Sequence, residues 1–144
     1  MRRTLLIAAL FAATAQAAEP LVIDVHRDAN CGCCTAWIEH LEANGFTVND
    51  HVEPDMAAVK QRLGVPYRLG SCHTGVIDGK FVEGHVPAQD ILALRASKDL
   101  LGAAVPGMPA GSPGMEMGGR QDAYQVIGLS RDGGERVLAD YPAR

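Results

Sequence analysis

Cys31-Gly32-Cys33-Cys34-Thr35-Ala36-Trp37-Ile38-Glu39-His40-Leu41-Glu42-Ala43, preceded by Leu21-Val22-Ile23-Asp24-Val25-His26, decides how this chain folds. The earlier segment is apolar and β-branched enough for a strand. In the later one Trp37, Ile38 and Leu41 share a helical face, and Asn44-Gly45 supplies a helix stop. Three cysteines therefore sit where a strand hands over to a helix. Backbone N–H groups at a helix N-terminus favour anions, so thiolates there form more readily and make good nucleophiles and metal ligands.

Working outward, Phe46 to Val52 predicts a second strand, and Pro54 opens a short helix carrying Met56, Val59 and Leu63 that Gly64 closes. Gly75-Val76-Ile77 and Phe81-Val82-Glu83 are joined by Asp78-Gly79-Lys80, a hairpin in which Gly79 takes the positive φ. Pro87 to Ala96 predicts a further helix with Ala88, Ile91, Leu92 and Arg95 at helical spacing. The order strand, helix, strand, helix, strand, strand, helix predicts an α/β fold with a thioredoxin-like domain. Its Cys-x-x-Cys, Cys31 to Cys34, opens the first helix. Residues 102–119 hold six Gly, three Pro and three Met and predict a loop. A C-terminal β-hairpin follows, Tyr124 to Leu129 and Arg136 to Tyr141, with strands so short that it must pack on the same domain to be stable.

The 144 residues are 47% apolar and 21% charged, with 13 basic and 17 acidic side chains and a net charge of −4. That is one compact domain, too apolar for a disordered tail and too acidic for a general nucleic-acid binder. The N-terminus stands apart. Arg2 and Arg3 precede an apolar run from Leu5 to Ala13, and Ala15-Gln16-Ala17 is a small-x-small cleavage pattern, so residues 1–17 predict a secretory signal peptide. The nine apolar residues are about half of the ~20 that a spanning helix needs. Removing the 17 residues takes two basic side chains and no acidic one, leaving 127 residues of charge −6. No Cys follows the cleavage site directly, which argues against a lipid anchor. The chain then divides into a metal-binding domain, 18–101, the loop, 102–119, and the hairpin, 120–144, in a soluble periplasmic protein with no membrane span.

In an oxidising compartment thiols become disulfides unless a metal or a reductant holds them. All four cysteines lie in two places, with Cys31, Cys33 and Cys34 together and Cys72 alone. Three clustered thiols can staple very little of a chain. Cys31 and Cys34 are spaced to meet across the first helical turn, and Cys33 is surplus to a simple dithiol. In a thioredoxin-like topology the loop holding Cys72 passes close to that turn, which offers a fourth sulfur. His73 offers an imidazole beside it, although an extended backbone would turn its side chain away from that of Cys72. The expected metal ligands are Cys31, Cys33, Cys34, Cys72 and His73. Softness admits Cu(I), Zn(II) or an iron–sulfur cluster, but adjacent Cys33 and Cys34 match neither the usual cluster spacings nor the paired ligands of structural zinc. Copper, as Cu(I), leads. Met108, Met115 and Met117 add soft thioethers in the loop, although apolar packing accounts for Met108 and Met115 as well. His26 ends a strand, His40 and His51 look solvent-facing, and His85 precedes a helix, so all four are read as structural.

These residues carry a resemblance. Cys31-Gly32-Cys33-Cys34-Thr35-Ala36-Trp37 with His40-Leu41, Gly64-Val65-Pro66, Ser71-Cys72-His73-Thr74, Asp78-Gly79 and Val82-Glu83-Gly84-His85-Val86-Pro87 resemble the domain-of-unknown-function 411 family. Val105-Pro106-Gly107-Met108-Pro109 and Gly111-Ser112-Pro113-Gly114-Met115-Glu116 extend the match, which runs from about Leu21 to about Asp140. The resemblance implies a thioredoxin-like domain that binds copper through the Cys-x-Cys-Cys cluster and a later cysteine, in an exported protein linked to copper tolerance of the cell envelope. Residue by residue, the cluster maps onto Cys31, Cys33, Cys34 and Cys72. The expected partners are copper ions, with a periplasmic copper export or oxidation system as a candidate recipient.

Two further functions stay open at this stage. One is a thiol–disulfide oxidoreductase in which Cys31 attacks and Cys34 resolves. The other is purely structural, with the cysteines forming two disulfides.

Overall fold

A computed structural model describes residues 18–144. The signal segment expected at 1–17 lies outside the described residues. The described residues form a mixed α/β fold in which seven strands make one sheet in the order β2-β1-β3-β4-β5-β6-β7. In chain order these are β1 (Val22–Arg27), α1 (Gly32–Ala43), β2 (Thr47–Val52), α2 (Met56–Arg62), β3 (Thr74–Ile77), β4 (Lys80–Glu83), α3 (Ala88–Ala96), β5 (Leu100–Ala104), β6 (Tyr124–Ser130) and β7 (Glu135–Tyr141). β1 runs parallel to β2 and β4 to β5, and the other neighbouring pairs are antiparallel. Each parallel pair is joined by a helix, as a crossover requires. No helix among the described residues is long and apolar enough to cross a membrane.

α1 buries Cys34, Trp37, Ile38 and Leu41, the i, i+3, i+4, i+7 stripe of a helix with one face in a core. Trp37 is fully buried, and its Nε1–H donates to the Val86 carbonyl at 2.9 Å. This pins the start of α1 to the segment between β4 and α3. α2 starts one residue after Asp55, whose carboxylate accepts the Ala58 N–H at 3.0 Å. The N-cap is thus Asp55, and Pro54 only precedes it. The β3–β4 turn has positive φ at both Asp78 (50°) and Gly79 (73°). Two such residues make the tight hairpin connection whose twist suits the flanking strands.

Two sequence expectations need correction. The predicted loop 102–119 starts too early, because Gly102, Ala103 and Ala104 belong to β5, which pairs with β4 on one side and β6 on the other. Gly-Ala-Ala has little β-propensity, so it does not announce a strand. Packing explains the glycine, since a Cβ on Gly102 would lie 2.4 Å from the Phe81 ring. The face of α3 is also shifted. Ala88, Asp90, Ile91 and Leu94 are buried while Leu92 is 44% exposed. Asp90 can face inwards because the Tyr141 hydroxyl of β7 donates to it at 2.6 Å, and burial still raises its pKa.

Candidate metal centre

α1 and the two ends of the β3–β4 hairpin converge on one point. Cys31 occupies the N-cap position of α1, Cys33 and Cys34 lie in its first turn, and Cys72 lies two residues before β3. Cys31 and Cys34 form a disulfide, and Cys33 and Cys72 are free. Cys33 Sγ is 3.6 Å from Cys31 Sγ and 3.7 Å from Cys72 Sγ. The four sulfurs all lie within 4.8 Å of one another. The predicted first-turn contact of Cys31 with Cys34 is therefore a bond, and Cys72 does face the cluster.

His73 and His85 complete the arrangement, and both are fully buried. His73 Nε2–H donates to the Gly84 carbonyl at 2.9 Å, and His85 Nδ1–H donates to the Pro113 carbonyl at 2.8 Å. A carbonyl can only accept, so each bond fixes the tautomer of its ring. The opposite nitrogens keep bare lone pairs, and both point at Cys72. His73 Nδ1 is 3.2 Å and His85 Nε2 3.3 Å from its Sγ, and His73 Nδ1 is also 3.3 Å from Cys34 Sγ. Cys72, His73 and His85 form a second group whose ligand atoms lie within 4.8 Å. An imidazole whose outer N–H is tied to a backbone carbonyl is the usual form of a metal-ligating histidine. The donor set thus suits a soft or borderline metal, with thiolate sulfur on one side and neutral imidazole nitrogen on the other.

His85 is the residue that the sequence reading placed among structural histidines. The signal was in the hairpin. Thr74 pairs with Glu83, so extending that register by one residue sets His73 opposite Gly84 and by two sets Cys72 opposite His85. His73 does not turn away from Cys72 because residues 71–73 are not part of the strand, which begins at Thr74. His40 differs too: it is half-buried and its Nε2 accepts the Ala88 N–H at 3.1 Å. His26 and the exposed His51 stack at 4.9 Å on β1 and β2 and bond to Glu53 and Asp24 respectively.

Burial sets the protonation of the metal-free centre. It lowers the pKa of His73 well below its ordinary value, with the neighbouring His85 adding to the effect, and it lowers that of His85. Burial, with Cys33 beside it, pushes the Cys72 thiol up to about 12. Cys72 is thus a thiol at neutral pH, and a metal binding there must displace its proton.

The loop after β5 straps the centre. Ser71 Oγ donates to the Gly107 carbonyl at 2.5 Å, and the Gly107 N–H to the Gly70 carbonyl at 3.1 Å. Further on, the Pro113 carbonyl accepts the His85 Nδ1–H and Gly114 lies against α1. Met108 and Met117 are 54% and 62% exposed, so neither plugs a core, and Met115 is half-buried.

Among known proteins, two solved structures align over almost their whole length. One, named "Copper resistance protein copG- Form 2", is 78% identical with a TM-score of 0.85, covering 86% of this chain and 100% of that one. The other, named "Copper resistance protein copG- Form 1", is 79% identical with a TM-score of 0.84, covering 86% and 99%. The model of a protein family of unknown function, DUF411, matches residues 69–115. The chain belongs to the DUF411 family. No curated protein matches it. The DUF411 match spans Cys72, His73, His85 and the strap as far as Met115.

Two expected results follow from this DUF411 segment. Gly114 has φ +84°, and a Cβ there would lie 2.7 Å from the Trp37 nitrogen and 2.9 Å from the Cys33 carbonyl oxygen. Both neighbours are backbone and cannot rotate away. Gly114→Ala should therefore cost about 2–4 kcal/mol of stability, read from urea unfolding of the metal-free protein. A variant as stable as the parent would show that the strap is not seated on α1. The second result concerns pH. Burial lowers the pKa of both imidazoles in the folded protein, whereas the unfolded chain protonates them near pH 6.5. Their lowered folded pKa values mean that stability is retained above about pH 6.5 and falls below it, by up to about 1.4 kcal/mol per pH unit per ring. Urea midpoints of the metal-free protein between about pH 7 and about pH 5 check this, and His85→Phe should flatten the slope.

Proposed function

We propose that the protein is an exported copper-binding protein that holds Cu(I) with the sulfurs of Cys31, Cys33, Cys34 and Cys72 and with His73 and His85 at the rim. Its role is then copper resistance and homeostasis of the cell envelope. The observation that carries this reading is the convergence on Cys72: three other sulfurs lie close by, and two imidazoles present bare nitrogens to it. The names of the similar solved structures point the same way. Thiolate and neutral imidazole suit Cu(I), and a cluster of thiolates can share its sulfurs among several ions.

The sheet order β2-β1-β3-β4, with a helix after β1 and another after β4, supports the thioredoxin-like reading of residues 18–101. The N-terminal pattern supports export to the periplasm, where a copper export or oxidation system is the recipient we envisage. Mass measurement of the protein recovered from that compartment should give a chain starting after Ala17.

The direct test is competition. Reduced protein should hold Cu(I) against a strong chelator and prefer it to Zn(II), and loss of Cu(I) to the chelator or equal binding of Zn(II) sinks the copper reading. The second reading, a thiol–disulfide oxidoreductase, is favoured by the Cys31–Cys34 disulfide at the start of α1. A model disulfide that the reduced protein leaves untouched removes it.

A further inference from the structure

Glu83 takes no part in the donor set, yet its side chain is completely buried. Oε1 accepts the Ser71 N–H at 2.7 Å and a Lys60 Nζ–H at 2.5 Å, and Oε2 accepts the Thr74 hydroxyl at 2.5 Å. Lys60 Nζ also donates to Thr74 Oγ1 at 2.9 Å, which closes the group. Stability alone does not call for this, because well-packed apolar residues commonly serve as well as a buried ion pair. The partners say what it does. Ser71 and Thr74 are the residues that bracket Cys72-His73, so one carboxylate grips the chain on both sides of the two ligands.

The two residues after Glu83 continue the same task. The Gly84 N–H donates to the His73 carbonyl at 3.0 Å, the Gly84 carbonyl accepts the His73 Nε2–H, and His85 faces Cys72. We propose that Glu83, anchored by Lys60, is the positioning residue of this centre, holding the backbone of 71–74 so that Cys72 Sγ and His73 Nδ1 keep their spacing. An apolar side chain could fill the same volume, but it would leave the Ser71 N–H without its acceptor. The inference rests on the metal-binding reading of the centre.

Two near-isosteric variants test it. Glu83→Gln keeps an acceptor for Ser71 and removes the charge, and Thr74→Val keeps the carboxylate but removes the bond to Oε2 and the hydroxyl that accepts from Lys60. Each should bind the parent's number of Cu(I) ions, release them to a chelator roughly tenfold faster, and shift the sulfur-to-metal band of cobalt-loaded protein. Thr74→Ser should restore both properties. Parent-like release and spectra in both variants would overturn the proposal, and the Thr74 pair decides alone if Glu83→Gln does not fold. A parent protein that holds no Cu(I) overturns the metal reading instead. Amide exchange in the metal-free protein then still decides about Glu83: faster exchange at Ser71 in Glu83→Gln supports the clamp, and unchanged exchange refutes it.

Discussion

Cys72→Ser is expected to lower the number of Cu(I) ions bound per chain, and to weaken those that remain by more than the roughly 10–100-fold that loss of an outer-sphere partner costs. The reason is its position. Cys72 is the one residue common to both groups of potential ligands, the four sulfurs and the Cys72, His73, His85 set. A hydroxyl is a hard donor and a poor replacement for a thiolate on a soft ion. Removing it takes away the one sulfur that both imidazoles face, and leaves His73 Nδ1 beside Cys34 Sγ at 3.3 Å. The fold should survive, with a change of about 1 kcal/mol, because the side chain is only partly buried and sits in a loop. Copper counted on the purified variant, beside its unfolding midpoint, checks both halves. An unchanged count in a folded protein would show that Cys72 is no ligand.

Reduction of the Cys31–Cys34 disulfide should have the second large effect. As folded with the disulfide, the chain has two free thiols, Cys33 and Cys72. A disulfide sulfur has no thiolate charge to offer a metal. Thiol titration of unreduced protein should therefore find two groups and reduced protein four, with copper capacity rising in step. Reducing the bond takes two electrons and two protons, giving two thiols at the start of α1. If unreduced protein binds as much Cu(I) as reduced protein, Cys31 and Cys34 are not ligands, and the centre consists of Cys33, Cys72 and the two histidines. The same experiment bears on the bland alternative of two structural disulfides, which requires no free thiols at all.

Most elements were legible because each is announced by its own neighbours. The stripe Trp37, Ile38, Leu41 lies within one helix, Asn44-Gly45 ends it, and Asp78-Gly79 makes its turn whatever surrounds it. β5 was not legible. Gly102-Ala103-Ala104 is a strand because β4 and β6 pair with it from either side, and Gly102 stands where the ring of Phe81, its partner across the sheet, leaves no room for a side chain. The inward turn of Asp90 likewise depends on a hydroxyl 51 residues away, on Tyr141. The four cysteines were legible as one site from their clustering and from the expected path of the Cys72 loop. The place of His85 beside Cys72 was not, because it depends on a hairpin register and on the Pro113 carbonyl 28 residues further along.

The sequence by itself determined the α/β class, the gathering of three cysteines at a helix start, and the hairpin that returns the chain towards Cys72. These follow from propensity, periodicity and turn chemistry, which act over a few residues. Only the tertiary structure decided that His73 and His85 are buried neutral with their bare nitrogens on Cys72, and that Glu83 lies beneath Ser71 and Thr74. Tautomer, burial and ligand aim are set by which carbonyls and carboxylates arrive from elsewhere in the chain, and packing alone brings them there.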